Sequence, residues 1–162
     1  MARKFNADEV FEIGEQIERN GRRFYQEAAE EAGPELKALF RRLADMEKDH
    51  EELFHNMRLE MAEGETEIAY DPDQMAPLHL QSLADTKVFN VYEDRSAEIA
   101  ESESPEEVIR TAIEMEKDSV VLYVGMKGMV PGELGKDKID WLIGEEMAHI
   151  QELSEQLGAR TE

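Results

Sequence analysis

Glutamate and histidine recur in this chain at spacings that suit metal coordination. Glu47-Lys-Asp-His50 and Glu146-Met-Ala-His149 are two Glu-x-x-His motifs, and each lies downstream of another glutamate: Glu18 precedes Glu47 by 29 positions and Glu116 precedes Glu146 by 30. Residues three apart on a helix share a face, so each motif presents a carboxylate and an imidazole together. The surroundings of the lone glutamates repeat too. Ile17-Glu18-Arg-Asn-Gly-Arg-Arg-Phe-Tyr25 runs parallel to Met115-Glu116-Lys-Asp-Ser-Val-Val-Leu-Tyr123, with tyrosine seven positions after glutamate both times. Four glutamates and two histidines delivered in this way make a two-metal carboxylate site, built by one helix-pair pattern that the chain uses twice.

The elements that must carry these residues are four helices. Asn6 with Glu9 has capping-box spacing, and the apolar recurrence that follows predicts a first helix to about Ala32, stopped by Gly33. Pro34 suits the first turn of a second, whose Leu36, Leu39, Phe40, Leu43, Met46, Leu53, Phe54 and Met57 recur at three and four and which should end near Gly64. Residues 65–103 read as a connector, with a turn at Tyr70–Asp73, a short helix at Met75–Leu83 and a buried extended piece at Val88–Tyr92. Ser104-Pro105-Glu106-Glu107 combines an N-cap, a proline at the first helical position and an acid at the third, and it predicts a third helix to about Met129. Val130-Pro-Gly132 breaks the chain. A fourth helix is expected from Glu133 or Lys136 to Leu157, with Gly158 as its stop.

Short connections make helices one and two, and then three and four, antiparallel neighbours. A helix of about 27 residues is roughly 40 Å long, and a connector of about 40 residues is ample to return along it. The expected fold is therefore all-α: a four-helix bundle of two antiparallel pairs joined by one long crossover, the connectivity of ferritin-like bundles. Placement on the helices separates the candidate ligands from surface charge. Leu43, Glu47, His50 and Phe54 follow one another at four, three and four residues, as do Leu142, Glu146, His149 and Leu153. The polar groups therefore point where the apolar ones point. Glu18 shares its face with Gly14, Gly21 and Tyr25, and Glu116 with Ala112, Ile113, Ser119, Val120 and Tyr123. Glu15 and Glu114 instead sit among charged or polar neighbours.

Four carboxylates buried together would each cost several kcal/mol in desolvation and repulsion unless something positive sat among them. The basic residues nearby fall off the apolar stripes. Two divalent cations balance the four negative charges, and one imidazole per metal favours iron, manganese or zinc over calcium, with iron the first choice. Cysteine is absent from the 162 residues, which excludes disulfides, iron–sulfur clusters and any thiolate-bound iron or zinc. The 39 acidic against 18 basic residues give a formal charge of −21, which repels nucleic-acid backbones and anionic lipid and keeps a small protein soluble. No apolar run suits a signal peptide or a membrane span, so the expectation is one cytoplasmic domain over residues 1–162.

With both helix pairs in view, roughly 6 to 63 and 104 to 158, the chain resembles a ferritin-like di-iron carboxylate protein of the rubrerythrin family. That resemblance implies Glu18 and Glu116 as terminal ligands, Glu47 and Glu146 as bridging carboxylates, and His50 and His149 as one imidazole per metal. It implies two iron ions, with manganese or zinc as alternatives. The implied activity is an oxidoreductase of peroxidase or ferroxidase type, in which a ferrous pair is oxidised by H2O2 or O2. It further implies an external electron-donor protein such as a rubredoxin, because this chain lacks the cysteine-bound iron of the family's better-known members, and a homodimer. Peroxidase-type rubrerythrins place a further glutamate where this chain has Ser119, which puts the associated iron movement in doubt. The competing reading is a non-catalytic protein that binds iron, zinc or manganese, or handles iron. Only five residues follow Leu157, so the additional C-terminal helix of cage-forming ferritins is not expected. Tyr25 and Tyr123, two turns beyond Glu18 and Glu116, are placed to hydrogen-bond ligating carboxylates across the core. His55 and His79 read as surface or packing residues, and Trp141 and the methionines as core or interface filling.

Overall fold

A computed structural model describes residues 7–62, 95–130 and 135–161, and every regular element among them is a helix. These are α1 (Ala7–Glu31), α2 (Pro34–Ala62), α3 (Ala97–Glu101), α4 (Pro105–Lys127) and α5 (Lys136–Thr161). Two of the predicted start signals operate as expected, while Asn6 and Glu133 lie outside the described residues. Pro34 opens α2, where its missing N–H would be unpaired in any case. At the start of α4 the Ser104 hydroxyl accepts from the Glu107 N–H at 3.3 Å, and the Glu107 carboxylate accepts from the Glu103 N–H at 2.7 Å. Gly135 precedes α5 at φ +136°, a conformation that L side chains rarely adopt, and its carbonyl accepts from Ile139 N–H at 2.9 Å.

Two apolar clusters divide the bundle along its length. One gathers Ala7, Val10 and Phe11 from α1 with Phe54, Met57 and Met61 from α2, Leu122 and Met126 from α4, and Ile139 and Leu142 from α5. The other gathers Phe24, Tyr25 and Ala28 from α1 with Leu36, Phe40 and Leu43 from α2, Ile99 of α3, Ile109 and Ile113 from α4, and Leu153 from α5. Reading each helix from one cluster to the other gives its direction. α1 and α5 run one way, α2 and α4 the other, so α1 and α2 are antiparallel, as are α4 and α5. The end of α2 and the start of α4 lie at opposite ends of the bundle, and the single crossover joins them, as the sequence predicts. Ion pairs stitch the outer seams: Arg58 to Asp8 and Glu15 at 2.9 and 2.8 Å, Arg19 and Arg22 to Glu51 at 2.9 Å each, Lys138 to Glu60 at 3.2 Å, Lys127 to Asp140 at 2.5 Å, and Arg42 to Glu152.

Three expectations are corrected. The fourth helix does not stop at Gly158 but continues to Thr161. A glycine inside a helix costs only about 1 kcal/mol relative to alanine. Here the last turn is held by Leu157 against the core and by Arg160, whose guanidinium lies 3.9 Å from both Glu35 and Glu106. A short helix, α3, occupies part of what reads as connector and buries Ile99 against the second cluster. Of the two places expected for Trp141, core and interface, the core is excluded: the side chain is 52% exposed. The turn at Tyr70–Asp73, the short helix at Met75–Leu83, the extended piece at Val88–Tyr92, and His79 lie outside the described residues. His55 is exposed, as expected, with Nδ1 3.4 Å from Glu15 Oε1.

Candidate metal centre

Between the two apolar clusters lies a layer of buried polar side chains, delivered in the way the helix faces predict. α1 supplies Glu18, α2 supplies Glu47 and His50, α4 supplies Glu116, and α5 supplies Glu146 and His149; all six are buried. They fall into two groups. Glu18, Glu47, His50 and Glu146 each offer one donor atom within 4.8 Å of the others, and Glu47, Glu116, Glu146 and His149 do the same. Glu47 and Glu146 belong to both. The layout is two adjacent positions with a shared pair of carboxylates between them, one further carboxylate at each flank, and one imidazole apiece.

Distances within the layer are short. His50 Nδ1 lies 3.0 Å from Glu146 Oε1 and 3.3 Å from Glu18 Oε2. His149 Nδ1 lies 3.3 Å from Glu47 Oε1 and from Glu116 Oε1, and 3.4 Å from Glu146 Oε2. The imidazoles stack on each other with centroids 5.7 Å apart and 16° between planes. Few of these approaches have hydrogen-bond geometry. Glu18 Oε2, Glu47 Oε1, His50 Nδ1, both oxygens of Glu146 and both nitrogens of His149 are buried without a hydrogen-bond partner. Buried polar atoms are nearly always paired, so a convergent set of orphans is what a metal-binding cluster looks like in its protein atoms alone. Oxygen and imidazole nitrogen in a four-carboxylate, two-histidine set fit a pair of transition-metal dications.

The electrostatics agree. Burial, reinforced by the charges of its carboxylate neighbours, pushes Glu47 well above the usual carboxylate range, and the same causes push up Glu146. Glu116 is pulled below that range: burial opposes this but is outweighed by the close approach of Glu146 and His149 and by the hydrogen bond from Tyr25. Burial works against charge on both histidines as well. The nearness of carboxylates overcomes it, Glu18 at His50 and Glu116, Glu146 and Glu47 at His149, so both are raised. The raised carboxylates and imidazoles have one cause in common: the layer gathers negative charge away from water, which favours any positive charge placed within it.

Two tyrosines cross the layer. Tyr25 on α1 donates its hydroxyl to Glu116 Oε1 on α4, and Tyr123 on α4 donates to Glu18 Oε1 on α1. Each phenol is buried, and burial plus the facing carboxylates pushes its pKa well up, which keeps the proton on the donor. Close packing at glycine makes room. A Cβ at Gly21 would sit 2.7 Å from Glu47 Oε2, and one at Gly14 would sit 2.5 Å from the Phe54 ring. Ser119 does not reach the layer; its hydroxyl bonds the Met115 carbonyl of its own helix at 3.1 Å.

Sequence reasoning missed two features. Glu15 is buried through Arg19 of its own helix and through Arg58 and His55 of α2, and the two from α2 are not signalled by its neighbours on α1. Trp141 leans edge-on against His50, with centroids 5.7 Å apart at 87°. Nothing on α5 alone signals that contact.

Similarity to known proteins follows the same lines. The rubrerythrin family model matches residues 9–157, which include all six converging side chains and both tyrosines. An uncharacterized protein of Archaeoglobus fulgidus is 39% identical over 54 residues, spanning 33% of this chain and 84% of that one. The crystal structure of a Thermotoga maritima protein, provisionally described as a ferritin-like diiron-carboxylate protein, superposes with a TM-score of 0.72 at 26% identity over 97% of each chain. With the helical order, the doubled carboxylate–histidine layer and the match along nearly its whole length, the chain belongs to the rubrerythrin family.

Proposed function

We propose that this chain is a di-iron oxidoreductase that reduces H2O2 or O2 and draws its electrons from an external donor protein. The observation that carries the reading is the pair of four-residue groups with Glu47 and Glu146 in common. Glu18 and His50 would complete one iron position, Glu116 and His149 the other. When bound, two ferrous ions supply one electron each to the oxidant. The chain's own contributions are charge, orientation and dryness. Four carboxylates offset the four positive charges of the ions, and the two imidazoles add nitrogen donors without charge. Tyr25 and Tyr123 hold one oxygen of Glu116 and of Glu18, fixing how those carboxylates turn toward the ions. Phe54, Tyr123 and Leu142 on one side and Tyr25, Leu43 and Leu153 on the other exclude water. Burial raises the pKa of Glu47 and of Glu146, so protons compete with metal at the two shared carboxylates. With no cysteine in the sequence, a thiolate-bound iron centre to relay electrons is absent, and that supports dependence on a separate donor.

The test is metal analysis of the purified protein, followed by stopped-flow oxidation of the ferrous form with each oxidant. Fast reaction with H2O2 and slow reaction with O2 identifies a peroxidase; the reverse identifies a ferroxidase. Zinc retained in every preparation, with no redox change, would overturn the proposal in favour of a non-catalytic metal-binding protein.

A further inference from the structure

The layer is almost symmetric, yet only one of its imidazoles has an aromatic path to solvent among the described residues. His50 meets Trp141 edge-on, whereas His149 meets only His50. Trp141 is the single tryptophan of the chain and is 52% exposed. Tyr25 and Tyr123 differ: both are buried and both give their protons to carboxylates of the layer. An indole packed against a buried imidazole and half open to water joins the inside of the cluster to the surface.

We infer that Trp141 is the one-electron outlet of the cluster and becomes oxidatively modified when peroxide is reduced with too little iron present. The inference rests on the di-iron reading above. H2O2 needs two electrons and two protons to become two waters. With both positions filled by ferrous iron, each ion gives one electron and Trp141 is spared. With a single ferrous ion, that ion gives one electron and becomes ferric, while the Trp141 indole gives the other through His50. The indole Nε1–H proton and one proton drawn from the buffer complete the two waters, leaving a neutral indolyl radical. Its exposure lets a soluble one-electron reductant repair it; without one, dissolved O2 adds to the radical's ring carbon and both of its oxygen atoms enter the side chain. A hole left on Tyr25 or Tyr123 would be shut in the core beside the ligating carboxylates.

The experiment uses metal-free protein given one ferrous ion per chain anaerobically, freed of unbound iron, and mixed with H2O2 in the presence of a hydroxyl-radical scavenger, with O2 admitted only once the ferrous ion has been consumed. Freeze-quench EPR and peptide mass spectrometry are the readouts. The expected result is a transient radical whose spectrum responds to deuterated tryptophan, with oxygen added at Trp141 in the iron-containing sample only. Met147, 58% exposed, is the internal control, because its thioether takes oxygen from peroxide with or without iron. A second ferrous equivalent lowers the radical yield. Trp141→Phe keeps a ring against His50 and removes the signal with metal content unchanged; Trp141→Tyr restores a radical of phenoxyl character. Equal oxidation of Trp141 with and without iron overturns the inference, as does a radical confined to Tyr25 or Tyr123. Ferric iron formed while Trp141 stays intact overturns it alone, whereas failure of bound ferrous iron to react with H2O2 removes both it and the di-iron reading.

Discussion

At the scale of single residues, the layer makes an unequal demand on its carboxylates. Glu47 and Glu146 take part in both groups, Glu18 and Glu116 in one each. Glu146→Ala or Glu47→Ala should therefore bring metal content toward zero, and Glu18→Ala or Glu116→Ala toward one ion per chain. Elemental analysis checks this, and two ions retained by Glu146→Ala would contradict the shared role. Tyr123→Phe leaves Glu18 Oε1 without its donor; about 1–3 kcal/mol of stability should go in the metal-free protein, and metal affinity should fall roughly 10–100-fold. Thermal melts and metal titrations separate the two effects. The pH dependence of uptake has a definite sign. Glu47 and Glu146 have raised pKa values and bind metal only when deprotonated, so protons compete with metal and affinity rises with pH. Metal titrations at a series of pH values should show tighter binding as pH increases; affinity that stays constant into the acid range would contradict the raised carboxylates. All six converging residues were legible because each shares a three- or four-residue row with apolar neighbours on its own helix. The burial of Glu15 and the contact of Trp141 were not, since Arg58 and His55, which complete the cover of Glu15, and His50, which Trp141 meets, all come from α2.

Among the elements, α1 approaches α2 closely enough that two glycines become positions of contact. Gly14→Ala drives a methyl into the Phe54 ring, and Gly21→Ala drives one against Glu47 Oε2. Overpacking of this kind costs about 1–3 kcal/mol, against a gain of roughly 1 kcal/mol in helix propensity. The two variants should diverge: Gly14→Ala lowers the melting temperature with or without metal, while Gly21→Ala mainly weakens metal binding by displacing a shared carboxylate. A Gly21→Ala protein with unchanged affinity would show that Glu47 swings aside freely. The long helices were readable from periodicity and from Ser104-Pro105-Glu106-Glu107, whose signals are local. α3 was not, because five residues with one buried side chain, Ile99, leave no stripe to detect. Gly158 misled for the opposite reason: its local signal says stop, but Leu157 and Arg160 are held by partners elsewhere in the bundle.

For the whole molecule, a net charge of −21 means that the folded state gathers like charges together, and the metal-free layer adds to that strain. Monovalent salt should raise the melting temperature of the metal-free protein by screening, and a decrease would contradict the self-repulsion reading. Metal should stabilise far more. A ligand bound only by the native state adds about 4 kcal/mol at a thousandfold excess over its dissociation constant, so calorimetry with and without ferrous or manganous ions should show a large upward shift that a chelator reverses.

Most helical bundles loosen first at their frayed tips and hold fast in the middle. In this one the cohesive material lies toward the two ends, and the waist is the band of acids and imidazoles. Without ions the girdle has few apolar contacts of its own, so amide hydrogens near Glu18, Glu47, Glu116 and Glu146 should exchange with solvent sooner than those within the two apolar clusters. Cations would then act as a belt, tightening the molecule from its centre outward.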